Sequence, residues 1–151
     1  MATTATVGNV RITALVDVAR PPFPPQDFFP DVPLSGWDAH QGTLDSDGKF
    51  RTNFGVFLLQ SPETTLLVDT GVGPGTVPGA ESKLIEGIQN ANVSLAEVRA
   101  VVFTHLHGDH IGWAVTPAEN GDPKPTFPNA EYVVSVPEWE YWTSAEVMAE
   151  T

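Results

Sequence analysis

Three of the chain's four histidines and one aspartate stand within six residues of one another, in the run T-H-L-H-G-D-H-I-G-W at residues 104–113. The run follows four apolar residues, A-V-V-F at 100–103, which read as a brief buried strand. A strand that stops at Phe103 delivers Thr104 onward to the edge of a sheet. If the backbone stays extended, His105 and His107 point the same way, because side chains alternate with period two. If it turns into helix, His107 and His110 share a face through their i, i+3 spacing. Asp109 adds a hard oxygen beside His110. Imidazole and carboxylate together suit zinc, and also manganese, iron or cobalt. Four donors in six residues are crowded for one ion, and two adjacent ions that share them out fit the spacing better. Two metals roughly 3.5–4 Å apart can hold a bridging hydroxide, polarise a carbonyl or phosphoryl oxygen and clamp a developing anion, which is hydrolytic chemistry. Asp109 is the candidate for both ligating a metal and orienting the attacking water.

The rest of the composition is compatible with such a site. The 151 residues include seven Lys and Arg against nineteen Asp and Glu, a formal net charge of -12. That field repels phosphate backbones and anionic lipid, so neither nucleic acid nor a membrane surface is an expected partner, whereas cations are favoured. With no cysteine, neither disulfides nor thiolate ligands are available. A hydrophobic fraction of 41% with 17% charged residues is globular and sized for one domain spanning residues 1–151. The first residues, M-A-T-T-A-T-V-G-N-V-R, lack a basic stretch followed by an apolar core, and no apolar run reaches the ~20 residues that span a bilayer. A soluble, cytoplasmic protein is the default expectation.

Along the chain, residues 10–18 read as a first strand. Residues 20–36 carry Pro21, Pro22, Pro24, Pro25, Pro30 and Pro33 among Phe23, Phe28 and Phe29, so an extended loop without helix is expected. Asp45-Ser46-Asp47-Gly48 is a turn. Residues 54–60 and 65–68 form a strand hairpin. Residues 81–90 make a helix with Leu84, Ile85 and Ile88 on one face. Ser94-Leu95-Ala96-Glu97 is a capping-box pattern. Residues 131–136 are a strand, and Pro137-Glu138 opens a helix running to Met148. Strands alternating with helices argue for an α/β layered fold. The glycine run G-V-G-P-G at 71–75 lacks the lysine and spacing of a phosphate loop.

T-H-L-H-G-D-H at 104–110 resembles the signature of the metallo-β-lactamase superfamily of metal-dependent hydrolases. L-L-V-D-T-G at 66–71 is similar to the strand and glycine loop that precede that signature, and V-R-A-V-V-F-T-H resembles the strand that feeds it. F-P-N-A-E-Y-V-V-S followed by E-W-E-Y-W, residues 127–142, resembles the segment after the signature in the lactonase-like branch. The resemblance runs from about Asn53 onward. It implies an αββα sandwich with a dinuclear site at one edge. His105 and His107 would hold one metal, Asp109 and His110 the other, and Asp69 would stand near the metal loop rather than on a metal. The implied cofactor is a pair of zinc ions.

The family completes its site with a histidine, a bridging aspartate and a last histidine, all downstream of the signature. Here no histidine follows His110, and Asp122 is the one later aspartate. The expectation is therefore the first half of the fold, partnered by a missing C-terminal half or by a second copy in a homodimer, with apolar surface exposed. His40, in G-W-D-A-H-Q-G, is a further candidate near the pocket. The expected function is metal-dependent hydrolysis of an ester or lactone in a small molecule by a metal-bridged hydroxide, with the 151-residue chain itself inactive. Phe23, Phe28, Phe29 and Trp113 are candidate walls of an apolar pocket. The alternative is a non-catalytic metal-binding or interaction module.

Overall fold

A computed structural model of the chain describes residues 3–116 and 122–149. Its order is β1 (Thr3–Val7), β2 (Val10–Ala19), β3 (Asn53–Gln60), β4 (Thr65–Val68), α1 (Leu84–Asn90), β5 (Ala100–Val102), α2 (Gly108–Ile111), β6 (Val115–Thr116), β7 (Lys124–Pro125), β8 (Glu131–Val133), α3 (Val136–Trp142) and α4 (Ala145–Met148). Six strands form one mixed sheet in the order β1-β2-β3-β4-β5-β8, and β6 pairs with β7 as a small ribbon. The α/β class and a single main sheet agree with the expected first layer of a sandwich. β1, β2 and β3, β4 are antiparallel hairpins, whereas β4, β5 and β8 run parallel. Among the described residues no helix is long and apolar enough to cross a membrane.

The chain divides into two compact units, residues 1–18 with 54–151, and residues 19–53. The larger unit holds the core. Leu15, Val56, Leu58, Leu67, Val101, Phe103 and Phe127 pack with Leu84 and Ile88, the i, i+4 pair that α1 turns inward. A methyl group on Gly87 would meet Leu15 Cδ2 at 3.3 Å, so this glycine lets α1 approach β2 closely. The capping box is formed as expected: Glu97 accepts from the Ser94 backbone N–H at 2.7 Å. The two hydrogen bonds from Ser94 hold the Glu97 carboxyl below its ordinary range.

In the smaller unit the expectation of a loop without helix is corrected. Pro25–Asp27 is a 3₁₀ turn with proline in its first position, where the missing N–H costs nothing, and Leu34–Thr43 is a kinked 3₁₀ segment. Phe23, Phe28, Phe29, Trp37 and Phe50 stack among themselves at centroid distances of 5.4–6.2 Å. The Arg20 guanidinium lies 4.7 Å from the Phe23 centroid. Asp45 closes its turn by accepting from the backbone of Asp47 and Lys49.

Three other expectations shift. β1 was not anticipated; it pairs with β2 across the two-residue turn Gly8-Asn9. The last strand ends at Val133 rather than Val136. The helix expected from Pro137 to Met148 is two helices, broken at Thr143-Ser144, where Ser144 accepts from the Val147 N–H and caps the second.

Candidate metal centre

Because β4, β5 and β8 are parallel, their C-terminal ends open on one edge of the sheet. Asp69 follows β4, Thr104 to His107 follow β5, and Ser135 leads from β8 into α3. Parallel pairing thus gathers groups that are up to 66 residues apart in sequence, Asp69 and Ser135, at the edge where α/β folds bind ligands.

Asp69 is 6% exposed and adopts φ +63°, a left-handed conformation that short polar residues tolerate better than others. Its carboxylate accepts from the Thr104 N–H at 2.8 Å, from the Thr104 hydroxyl at 2.8 Å and lies 2.8 Å from His110 Nδ1. One side chain therefore ties the end of β4 to both ends of the histidine loop. The backbone strain is located at the residue that makes these contacts.

The loop stays extended through His107 (φ -68°, ψ 151°) and becomes helical at Gly108. His105 and His107 come together as alternation predicts, with Nε2 and Nδ1 3.1 Å apart. His107 is the N-cap residue of this helix, and its carbonyl accepts from the His110 N–H at 2.9 Å. His105 lies against His110, with ring centroids 3.9 Å apart. Asp109 Oδ2 is 3.6 Å from His110 Nε2, and the Asp109 side chain is 41% exposed. His105, His107, Asp109, His110 and Asp69 are thus linked by successive pairwise contacts. Among the described residues, no three His, Asp or Glu side chains converge as a single ion would require. Two donor spacings in the loop are short, His105 Nε2 to His107 Nδ1 and Asp109 Oδ2 to His110 Nε2.

A second set of contacts, absent from the sequence reading, fixes the loop from behind. Thr70 donates its N–H and its hydroxyl to the His110 carbonyl at 2.7 and 3.0 Å, and the Gly112 N–H donates to the Gly71 carbonyl at 2.8 Å. Gly112 lies directly on the Val72–Gly73 peptide, where any Cβ would collide. Beneath them sits Asp17, fully buried in β2. It accepts from the N–H groups of Val72 and Gly73 at 2.8 and 3.0 Å, from the Ser82 hydroxyl and, at 3.4 Å, from Trp113 Nε1. Trp113 also donates to Ser82 Oγ at 2.7 Å, which anchors its indole in this polar cluster. An aspartate inside the V-D-V-A alternation was the available signal for Asp17, since a buried charge needs partners.

On the other flank, Glu138 and Trp142 of α3 reach the loop. Glu138 Oε2 accepts from the Leu106 N–H at 2.9 Å and from Trp142 Nε1 at 3.1 Å. The Trp142 ring meets His107 edge-on, with centroids 5.7 Å apart. Beside them, Phe103, Leu106, Tyr132, Val133, Val136 and Trp139 border an apolar groove of about 490 Å³. His40 is exposed in the unit of residues 19–53, and Asp122 is exposed after the ribbon strand β6.

The superfamily model described as metallo-beta-lactamase matches residues 56–148. A curated relative, metallo-beta-lactamase domain-containing protein 1 of Xenopus laevis, is 38% identical over 63 residues, 42% of this chain and 24% of that protein. Among solved structures, AidC, a dizinc quorum-quenching lactonase in complex with a product, superposes with a TM-score of 0.79 at 23% identity, over 95% of this chain and 48% of its own. The hydrolase AbOPH of the beta lactamase superfamily gives 0.77 at 24% identity, over 99% and 49%. A probable metal-dependent hydrolase from Staphylococcus aureus gives 0.72 at 24% identity, over 91% and 51%. At these identities the structures establish a shared fold. The chain spans about a quarter of the curated relative and about half of each of these solved chains.

Proposed function

The chain belongs to the metallo-beta-lactamase superfamily, and from that premise we propose that its 104–113 loop is the metal-binding loop of a hydrolase acting on an ester or lactone bond in a small molecule. The observation that carries the reading is the two-pair arrangement of donors. Two ligands about 2.0–2.2 Å from a tetrahedral ion stand roughly 3.3–3.6 Å apart. The spacings of 3.1 Å for His105 Nε2 and His107 Nδ1, and 3.6 Å for Asp109 Oδ2 and His110 Nε2, are close to that. His105 and His107 would hold one ion, Asp109 and His110 the other. Zinc suits this set best, with manganese, iron and cobalt also accommodated by imidazole and carboxylate.

When bound, such a pair of ions supplies Lewis-acid polarisation of the scissile carbonyl, activation of water and neutralisation of the developing oxyanion. The chain's own groups do the rest. Asp69, at His110 Nδ1, fixes the tautomer that leaves Nε2 free as a ligand. Asp109, partly open to solvent, would orient the attacking water by accepting its hydrogen bond. The groove beginning at Leu106 supports a substrate with an apolar portion. The lactonase and hydrolase neighbours support an ester or lactone as substrate class, and this activity is proposed of the whole protein.

The test is a screen of the metal-supplemented protein against lactones, esters, phosphoesters and β-lactams, with His107→Ala alongside. Lactone or ester turnover that His107→Ala removes is the expected outcome. Turnover surviving in that variant, or confined to phosphoesters or β-lactams, would overturn the assignment. A second reading, a non-catalytic metal-binding module, is favoured by the absence of any three converging donors among the described residues. Metal that binds through His107 without any turnover would select it.

A further inference from the structure

We infer that Glu138, acting through Leu106 and Trp142, is the positioning residue for the His105–His107 donor pair. The inference rests on the metal-loop reading above and assigns to α3 a part in it that the histidine motif does not contain.

The geometry is specific. Leu106 is the single residue between His105 and His107, and in an extended loop its peptide orientation sets where both imidazoles point. Its N–H is donated to Glu138 Oε2 at 2.9 Å. The same oxygen takes the Trp142 Nε1 hydrogen at 3.1 Å. Trp142 is thereby turned so that it meets His107 at an interplanar angle of 88°. One carboxylate oxygen thus fixes the loop backbone and the ring that braces one ligand. Glu138 and Trp142 are four apart on α3, and both are half-buried. Asp69 performs the matching task for His110 from the opposite side, through β4. Each proposed ion therefore has its own carboxylate brace, and the two braces come from different elements of the fold.

The brace acts by accepting hydrogen bonds, not by its charge. Glu138→Gln keeps an acceptor oxygen for the Leu106 N–H, whereas Glu138→Ala leaves that N–H and Trp142 Nε1 without this partner. Changes of this kind around a metal ligand typically cost about 10–100-fold in metal affinity.

The experiment titrates Co²⁺ into the wild-type chain, Glu138→Ala and Glu138→Gln, following the visible absorption of bound cobalt, with far-ultraviolet circular dichroism confirming that each variant is folded. Imidazole ¹⁵N resonances are recorded on the metal-free proteins. The expected result is one cobalt site weakened about 10–100-fold in Glu138→Ala and restored to near wild type in Glu138→Gln, with the second site unchanged. In the metal-free protein, the His107 and His105 resonances should move in Glu138→Ala while those of His110 stay in place. Equal cobalt binding in all three proteins overturns the inference, as does a Glu138→Gln variant as damaged as Glu138→Ala. If the wild-type chain binds no cobalt, the metal-loop reading fails by itself. The imidazole resonances then decide the positioning role, and unmoved His107 resonances in Glu138→Ala overturn it. If Glu138→Ala does not fold, Trp142→Phe replaces it, because it removes one donor and keeps an aromatic side chain; a wild-type cobalt spectrum and unmoved His107 resonances there overturn the inference.

Discussion

Two stretches of this chain, residues 104–113 and residues 19–53, both do without long helices or strands, yet they are held in opposite ways. In the first, every turn is tied by named polar groups. Asp69 takes three donors, the His110 carbonyl takes two from Thr70, and Glu138 takes the Leu106 N–H. In the second, five aromatic rings and the Arg20 guanidinium stack on one another, with Phe50 touching Phe23, Phe29 and Trp37. Hydrogen-bond networks are directional and fail when one partner goes. Aromatic clusters are redundant and lose stability gradually. A loop with the metal-binding role proposed for residues 104–113 would need the first kind of support.

That contrast can be broken by substitution. The largest effect is expected from Asp17→Ala, which deprives the Val72 and Gly73 N–H groups, Ser82 and Trp113 of their shared buried acceptor. A loss of about 3 kcal/mol or more in urea unfolding follows, because buried donors left unpaired to a former charge each cost on the order of 1–3 kcal/mol. A loss below about 1 kcal/mol would mean that the loop's support is as redundant as the aromatic cluster. Gly112→Ala comes next. Its methyl would fall on the Val72–Gly73 peptide, which is backbone and cannot rotate away. Overpacking of this sort costs about 1–3 kcal/mol. It should also shift the His110 imidazole resonances, since Gly112 and His110 share the contact with the 69–73 loop. Phe50→Ala is expected to be the mildest for the site. It should lower stability by about 1–2 kcal/mol through lost ring contacts and leave metal affinity unchanged, as titration of the variant would show. A tenfold loss of metal affinity there would tie the two regions together and end the contrast.

The sequence made the candidate donors legible but not their arrangement. His105, His107, Asp109 and His110 announce themselves by type and spacing. Which rings meet depends on where the helix starts, and only the backbone says that it starts at Gly108, leaving His107 as cap and His105 against His110. Asp69 was readable as the end of a strand followed by glycine, whereas its three donors arrive from Thr104 and His110 through parallel pairing of β4 with β5. Asp17 and Glu138 act at sequence distances of 55 and 32 residues from their backbone partners, beyond the reach of local patterns. Some misses were local. T-T-A-T-V with Gly8-Asn9 is a strand-and-turn signal, and Ser144 before Ala145 is a helix cap. In the proline-rich stretch, proline's fixed φ favoured 3₁₀ turns where an extended loop was expected.

The central claim is that the histidine loop holds metal ions as two donor pairs. It is tested most directly by elemental analysis of the purified chain and of His107→Ala, each equilibrated with zinc and then freed of excess. The account predicts zinc bound to the wild-type chain and its loss from His107→Ala. Equal zinc in the two proteins, or none in the wild type, would contradict it.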